Sequence, residues 1–401
     1  MHSSHVSGAR SVWAPGGPPG RDNGGHDAKG VRQTLFGDGR SAVRSGFPRM
    51  DGTVPASEFP GADSGAVSGR REYPPGAGRA DGGPVGAAGG SEHTGGPRFD
   101  QPVPTGGYAW WSLDALSDDG RNGLTIIAFI GSVFSPYYAN ARVRDPLHYC
   151  ALNVALYHDK GSRWAMTERG RIGVRRDATT FSIGPSSVHW NGTILTVDID
   201  EVTVPFPSRI KGQVRLYPSA IVEGAIALDP EGRHRWRPLA PCARVEVDLK
   251  RPDLTWSGPG YLDTNAGDGP LERDFVRWDW SRATLSRSTA VLYDVTCRDG
   301  EDRAVAIEID GSGKVRDFAP PPTVSLPRTR WRVDRGTRAD EGFGARVRRT
   351  LEDSPFYARS ILETHLLGEH VPAIHESLML DRFRQKWVQF LLPFRMPRRR
   401  R

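Results

Sequence analysis

The chain has 401 residues, 37% of them hydrophobic and 25% charged, with a formal net charge of +7. That length allows two or more domains, and no apolar run approaches the roughly 20 residues that a membrane-spanning helix needs. The basic excess sits at one end, because Arg382 to Arg401 hold eight Lys or Arg and no acid. The overall charge therefore does not describe the body of the protein, and a nucleic-acid-binding reading based on it is excluded.

The first hundred residues hold 23 Gly and 10 Pro. A third Gly plus Pro without a collagen period cannot bury enough apolar surface to offset its ordering entropy, so residues 1–100 are expected to be disordered. The opening MHSSHVSGARSVWAPGG lacks the apolar run of a secretory signal. Ordered sequence is expected from Gly106, where GGYAWWSLDAL passes through the turn DDGRNG into LTIIAFIGSVF as a hairpin of two buried strands. ALNVALY, ILTVDIDEVTV, RIKGQVRLY and ARVEVDL then place apolar residues at every second position between turns such as HDKG and HWNG. DFVRWDWSR puts Trp278 and Trp280 on one strand face, where lining a cavity and covering a core are equally open readings. STAVLYDVTC and RAVAIEID form a further hairpin around RDGED, and TRWRVD follows as another strand. Helical periodicity is absent from Gly106 to about Val333, which implies an antiparallel sandwich or barrel.

The last part reads differently. TLEDSPFYARSILETHLL, residues 350 to 367, predicts a helix with Thr350 to Asp353 as its capping box. His365, His370 and His375 lie five apart, which spreads them around a helix axis instead of converging on a metal. Leu380, Phe383, Trp387, Leu391 and Phe394 recur at three- or four-residue steps beside Arg382, Arg384 and Lys386, the pattern of an amphipathic helix that Pro393 ends. The expected fold class is thus mainly β. It comprises two antiparallel β domains over 101–245 and 246–340, a disordered N-terminal extension, and a helical segment with a basic amphipathic tail over 341–401. Cys150, Cys242 and Cys297 are widely spaced, odd in number and without a CxxC, so reduced thiols in a cytoplasmic setting are the default.

The stretch from Gly232 to Asp268 reads as chemistry. GRHRWRP supplies His234 and Trp236, the middle from Ala243 to Leu249 is a strand, and WSGPGYLDTNAGD supplies Trp256, Tyr261, Asp263, Asn265 and Asp268. A strand of about 6 to 8 residues spans roughly 20 to 27 Å, so the two clusters stand at opposite ends of it unless neighbouring loops fold back. Aromatics beside Gly and Pro are commonly rim packing, and an Asp before Asn and Gly is usually an Asx-turn. Collected in one cavity, however, an imidazole, a carboxyl and several aromatic faces suit acid–base work on an apolar substrate.

GGYAWWSLDALSDDGRNGLTIIAFIGSVFSPYY, DPLHYCALNVALY, RWAMTERG, GRHRWRP, GYLDTNAGD, WDWSR and HESLMLDRFRQKWVQFLLPFRMPR resemble the carotenoid 1,2-hydratases, also called hydroxyneurosporene synthases, over about Gly106 to Pro397. The resemblance implies two lipocalin-like β domains. It implies addition of water across the terminal C1=C2 bond of acyclic carotenoids such as neurosporene and lycopene, with no cofactor. It also implies catalysis by His234, Trp236, Tyr261 and Asp263, all four of which match the family motif. Residues 1–100 lie outside the resemblance.

On this reading a desolvated, protonated Asp263 delivers a proton to C2. Trp236 and Tyr261 stabilise the cation at C1, and His234 orients the water. A lipocalin-like carrier without catalysis is the alternative from another class, and carbohydrate binding by Trp278 and Trp280 ranks below both. The expected partners are the carotenoid and a membrane surface met by the basic tail, on the cytoplasmic side of the membrane.

Overall fold

A computed structural model describes residues 95–159 and 161–399. The disorder expected of residues 1–94 lies outside the described residues. Order begins before residue 100, since Phe99 is fully buried and its ring meets that of Trp111 at 4.8 Å.

Alternating apolar and polar residues build two antiparallel meanders. The first is β1 (Tyr108–Leu116), β2 (Asn122–Ile130), β3 (Cys150–His158) and β4 (Arg163–Arg169). The second is β5 (Val174–Arg176), β6 (Thr180–Ile183), β7 (Ser186–Trp190), β8 (Leu195–Val202) and β9 (Arg209–Pro218). After the short β10 (Ile226–Ala227), a long hairpin of β11 (His234–Arg251) and β12 (Asp253–Gly267) joins them, with β12 on β1 and β11 on β9. Leu152 and Val154 of β3 share one aliphatic core with Phe181 and Ile183 of β6, so the sheet curls and packs its own inside face.

A second sheet is built from β13 (Phe275–Thr284), β14 (Ser288–Cys297), β15 (Asp302–Asp310) and β16 (Val315–Asp317). A separate two-stranded pair, β17 (Thr323–Leu326) and β18 (Arg335–Arg338), follows, and β19 (Arg346–Asp353), β20 (Tyr357–Leu366) and β21 (Glu369–Met379) complete the second sheet beside β13. The chain ends by returning β22 (Arg398–Arg399) parallel to β4. Period-2 alternation divides the first sheet cleanly. Ala109, Trp111, Leu113 and Ala115 face its own core, whereas Tyr108 and Trp110 face a second core shared with Trp280, Tyr293 and Leu378 of the other sheet.

The mainly β expectation holds, and several local readings are corrected. Residues 245 and 246, the expected domain boundary, are consecutive in the middle of β11, and the change of sheet comes after Gly267. The helix expected over 350–367 is strand. Ser354 and Pro355 break it, Leu367 (φ 54°) and Gly368 (φ 83°) make the tight turn of the β20–β21 hairpin, and pairing of β20 on both sides outweighs local propensity. His365 and His370 consequently face each other across that hairpin.

Instead of one C-terminal helix there are short ones, Leu380–Phe383 and Lys386–Leu391, with Gln385 in extended backbone between them. Leu380, Phe383, Val388, Leu392 and Met396 are buried, while Trp387, Phe390, Leu391 and Phe394 stay exposed. Arg398, expected to meet lipid, is engaged inward with Glu168 and lies over Tyr149 at 4.3 Å. TRWRVD is a turn preceding β18.

WSGPGY, which looks turn-like, belongs to β12. Its glycines mark close approach: a Cβ on Gly258 would stand 1.9 Å from the Leu116 carbonyl oxygen. Gly258→Ala is expected to destabilise the protein by roughly 1–3 kcal/mol, measured by denaturant unfolding, because backbone and not a flexible side chain blocks the new methyl group.

Candidate active site

Strand register assembles the site. Tyr261, Asp263 and Asn265 follow each other on one face of β12, the face turned toward the second sheet. Asp263 stands opposite Ser112, which continues across the sheet to Ile127, Asn153 and Met166. Asn265 stands opposite Trp110 on one side and Trp236 on the other. The two clusters expected at opposite ends of a strand are thus cross-strand neighbours, because β12 folds back along β11. Pro238 and Pro241 lie where the β11 register shifts, and beyond these irregularities β11 pairs with β10 through Arg235 and Trp236.

These rows wall one side of a cavity of about 440 Å³, and Trp278, Trp280, Tyr293, Glu376 and Leu378 of the second sheet line it from the other. Both indoles of WDWSR therefore line the cavity.

Asp263 is 6% exposed. Its Oδ2 accepts hydrogen bonds from Trp236 Nε1 at 2.9 Å and from the Tyr261 hydroxyl at 3.2 Å. Burial pushes this carboxyl up to about 8, with repulsion from Glu376 and Asp114 adding to the rise and the two hydrogen bonds opposing it. With Oδ2 already holding two donors, Oδ1 is the oxygen left to carry the acid proton. Trp236 and Tyr261 are themselves fully buried behind the cavity wall, against Tyr293 and Trp280 with ring centroids at 5.5 and 5.4 Å.

The neighbouring charges are compensated. Asp114 pairs with Arg282, Glu376 pairs with Arg359, and Arg359 also reaches Asp114 at 3.8 Å. Burial raises the Glu376 carboxyl even so, with Arg359 opposing.

His234 occupies a separate position. Its Nε2 meets Asp274 Oδ2 at 2.8 Å and its Nδ1 meets the Tyr108 hydroxyl at 2.9 Å. A carboxylate only accepts, so Nε2 carries the proton and Nδ1 accepts from Tyr108. Burial holds the imidazole below its usual range, and it stays neutral. Neither nitrogen is free for a water. The contact exists because Gly267 lies between the two rings, where a Cβ would come within 2.4 Å of Tyr108 and 2.7 Å of His234. Tyr108 in turn stacks on Trp110, a wall of the cavity, at 4.8 Å. Asp268 is at the surface in an ion pair with Arg235. Among the described residues no group of His, Cys, Asp or Glu could hold a metal ion, and the three cysteines are free.

The model of the family described as "Carotenoid hydratase CrtC" matches residues 126–401. The chain belongs to the carotenoid hydratase family. It is 52% identical to the acyclic carotenoid 1,2-hydratase of Thiocapsa roseopersicina over 99% of both chains, and 52% identical to that of Rubrivivax gelatinosus over 93% of both. The family's shorter member from Cereibacter sphaeroides is 41% identical and aligns over 98% of its own length but 68% of this chain. The N-terminal extension, placed outside the resemblance on sequence alone, therefore lies inside the Thiocapsa alignment. The fold is shared with a crystal structure of an AttH protein from Nitrosomonas europaea, at 16% identity and a TM-score of 0.51 over 68% of this chain and 92% of that one, and such proteins are lipocalin-like.

Sequence reasoning missed Trp110, Tyr293 and Glu376, whose only signal is a place on a strand face turned toward the other sheet. It also placed His234 at the reacting atoms. Tyr108→Phe leaves His234 Nδ1 buried without a partner and is expected to cost about 1–3 kcal/mol in denaturant unfolding. Unchanged stability would contradict the relay through Tyr108, His234 and Asp274.

Proposed function

We propose that this chain adds water across the terminal C1=C2 bond of acyclic carotenoids by acid catalysis, with Asp263 as the acid. The observation that carries the reading is a buried carboxyl with two donors on Oδ2 on the wall of an aromatic cavity, where burial pushes its pKa up to about 8. Carbon is a poor base, so the first step needs an acid already protonated and aimed at the π-face. Protonation at C2 leaves the positive charge on C1, the more substituted carbon. The faces of Trp278, Trp280 and Tyr293 are the rings available to it, each worth roughly 0.5–2 kcal/mol in a dry site, up to about thirtyfold in rate. Water then bonds to C1 and gives a tertiary alcohol. Hydration changes no net oxidation level, so the chemistry asks for no redox cofactor.

Trp236 and Tyr261 act on this step through Asp263. Their donors occupy Oδ2, leave Oδ1 for the proton and moderate the rise in its pKa. His234 acts at one further remove, fixing Tyr108 and through it the Trp110 wall.

The purified protein is expected to convert lycopene or neurosporene to the 1-hydroxy product, whereas a carrier would return the pigment unchanged. Asp263→Asn keeps the shape and is expected to lose about 10²- to 10⁴-fold of the rate. The neutral acid is the active form, so turnover is full well below pH 8, half-maximal near pH 8 and falls about tenfold per pH unit beyond it. Stability follows the same group. A folded pKa near 8 against 3.8 unfolded means that the folded state binds the extra proton, so stability falls as pH rises from about 4 to 8. Asp263→Asn removes that slope.

A C40 polyene resides in lipid, and the cavity mouth suits that source. Trp331, Leu391 and Phe394 line the cavity and are also exposed, and Trp387 and Phe390 extend the patch, with rings at 6.2 Å from Trp331 and 5.9 Å from Phe394. Arg384, Lys386 and Arg395 stand exposed along the same segment. No described helix is long and apolar enough to cross a membrane. The mouth is proposed to rest on the headgroup boundary, its aromatics inserted and its basic side chains on anionic lipid. Replacing Phe390 and Phe394 together by Ser is expected to weaken sedimentation with anionic vesicles, and equal binding by parent and variant would refute the placement.

A further inference from the structure

Hydration requires a water at one defined point of an otherwise apolar cavity, and a water stays there only where buried polar groups lack partners. Among the described residues the half-buried Asp353 Oδ1 on the cavity wall is in that condition, and so are three atoms on more deeply buried side chains of the wall, Asn265 Nδ2, Trp280 Nε1 and Asn153 Oδ1. All three side chains are more than nine-tenths buried. His234, the residue to which the sequence assigns the water, has both ring nitrogens occupied.

The three candidates differ in distance from the acid. Asn265 is two residues beyond Asp263 on the same strand face, about 7 Å away along the strand. Asn153 lies three strands from Asp263 along the row through Ser112 and Ile127, roughly 14 Å away at the interstrand spacing. Trp280 belongs to the opposite sheet, beside Tyr261. With C2 of the substrate at the Asp263 carboxyl, Asn265 alone shares the acid's strand face and stands one residue pair away. Its amide also faces the Tyr293 hydroxyl as a donor, yet Nδ2 makes no hydrogen bond of ordinary geometry there, and an NH2 group has a second proton to give.

We propose that Asn265 is the positioning residue for the attacking water. The inference rests on the reading of Asp263 as the acid. Asn265 Nδ2 donates one hydrogen bond to the water oxygen, which keeps its other lone pair for C1. In the second step the O–C1 bond forms, one water O–H bond breaks, and that proton passes to Asp263 Oδ1, which the first step left as a carboxylate. The acid is restored and no other reactant is consumed.

The test separates capture of the cation from its formation. In D2O, a cation that is not captured returns to alkene and can retain deuterium at C2, so recovered substrate records cation formation while alcohol records capture. Asn265→Leu keeps the volume and removes both polar atoms. Asn265→Ser keeps a shorter hydroxyl and space for a bridging water. Mass spectrometry of lycopene and its product is expected to show the ratio of exchange to hydration rising about tenfold or more in Asn265→Leu and less in Asn265→Ser. If Asn265→Leu does not fold, the rise in Asn265→Ser carries the test alone. An unchanged ratio in the folded variants would overturn the proposal, as would a rise in Asn153→Leu without one at Asn265. Asp263→Asn is expected to abolish exchange and hydration together, and its failure to do so would overturn the acid assignment and not the water site.

Discussion

Burying Asp263 between two sheets deprives the ionised carboxylate of its hydration, and this cost keeps the proton on the carboxyl near neutral pH. The surroundings follow from that constraint. Among the described residues two donors, and no cation, touch the carboxyl, and a guanidinium in contact would ionise it. The arginines that the site does contain, Arg282 and Arg359, are spent on Asp114 and Glu376. Those two carboxyls then repel a charge on Asp263 while each is held by an arginine. Buried pairs of this kind contribute little net stability; here they hold negative charge near Asp263 and assist its protonation.

The two faces of the first sheet divide the labour. Its inside face is filled by aliphatic side chains such as Leu113, Val154 and Val197, leaving a packed core. The cavity lies on the outside face, under the second sheet, where the cross-strand rows place Trp110, Asp263 and Asn265. A one-residue slip of β12 against β1 would turn Tyr261, Asp263 and Asn265 into the aliphatic core. Register therefore guards the chemistry as well as the fold, and the close approach at Gly258 helps to lock it.

The strands were legible in the sequence where apolar and polar residues alternate, as in β8 and β9, and where a β-branched and aromatic run follows a turn, as in β1 and β2. The stretch that brings Trp236, Tyr261 and Asp263 into contact was legible as a unit too, from the family motif and from the clustering of unlike residues. Three things were not. The end of β19 and β20 read as helix because Ala, Leu, Glu and Arg have good helix propensity, and strand pairing on both sides is invisible from one segment. Gly258, Pro259 and Gly260 read as a turn because close backbone approach and a turn both call for glycine. His234 read as the group that orients the water because the motif shows which residues recur together but not that Tyr108 and Asp274 occupy both ring nitrogens.

The central claim is that Asp263 enters the reaction protonated. Difference infrared spectroscopy of the folded, substrate-free protein, with Asp263→Asn as the blank, reads that carboxyl directly through its C=O stretch. The account predicts a protonated band present at pH 7 that disappears with a midpoint near pH 8. A band already lost by pH 5, as for an ordinary aspartate, would contradict it.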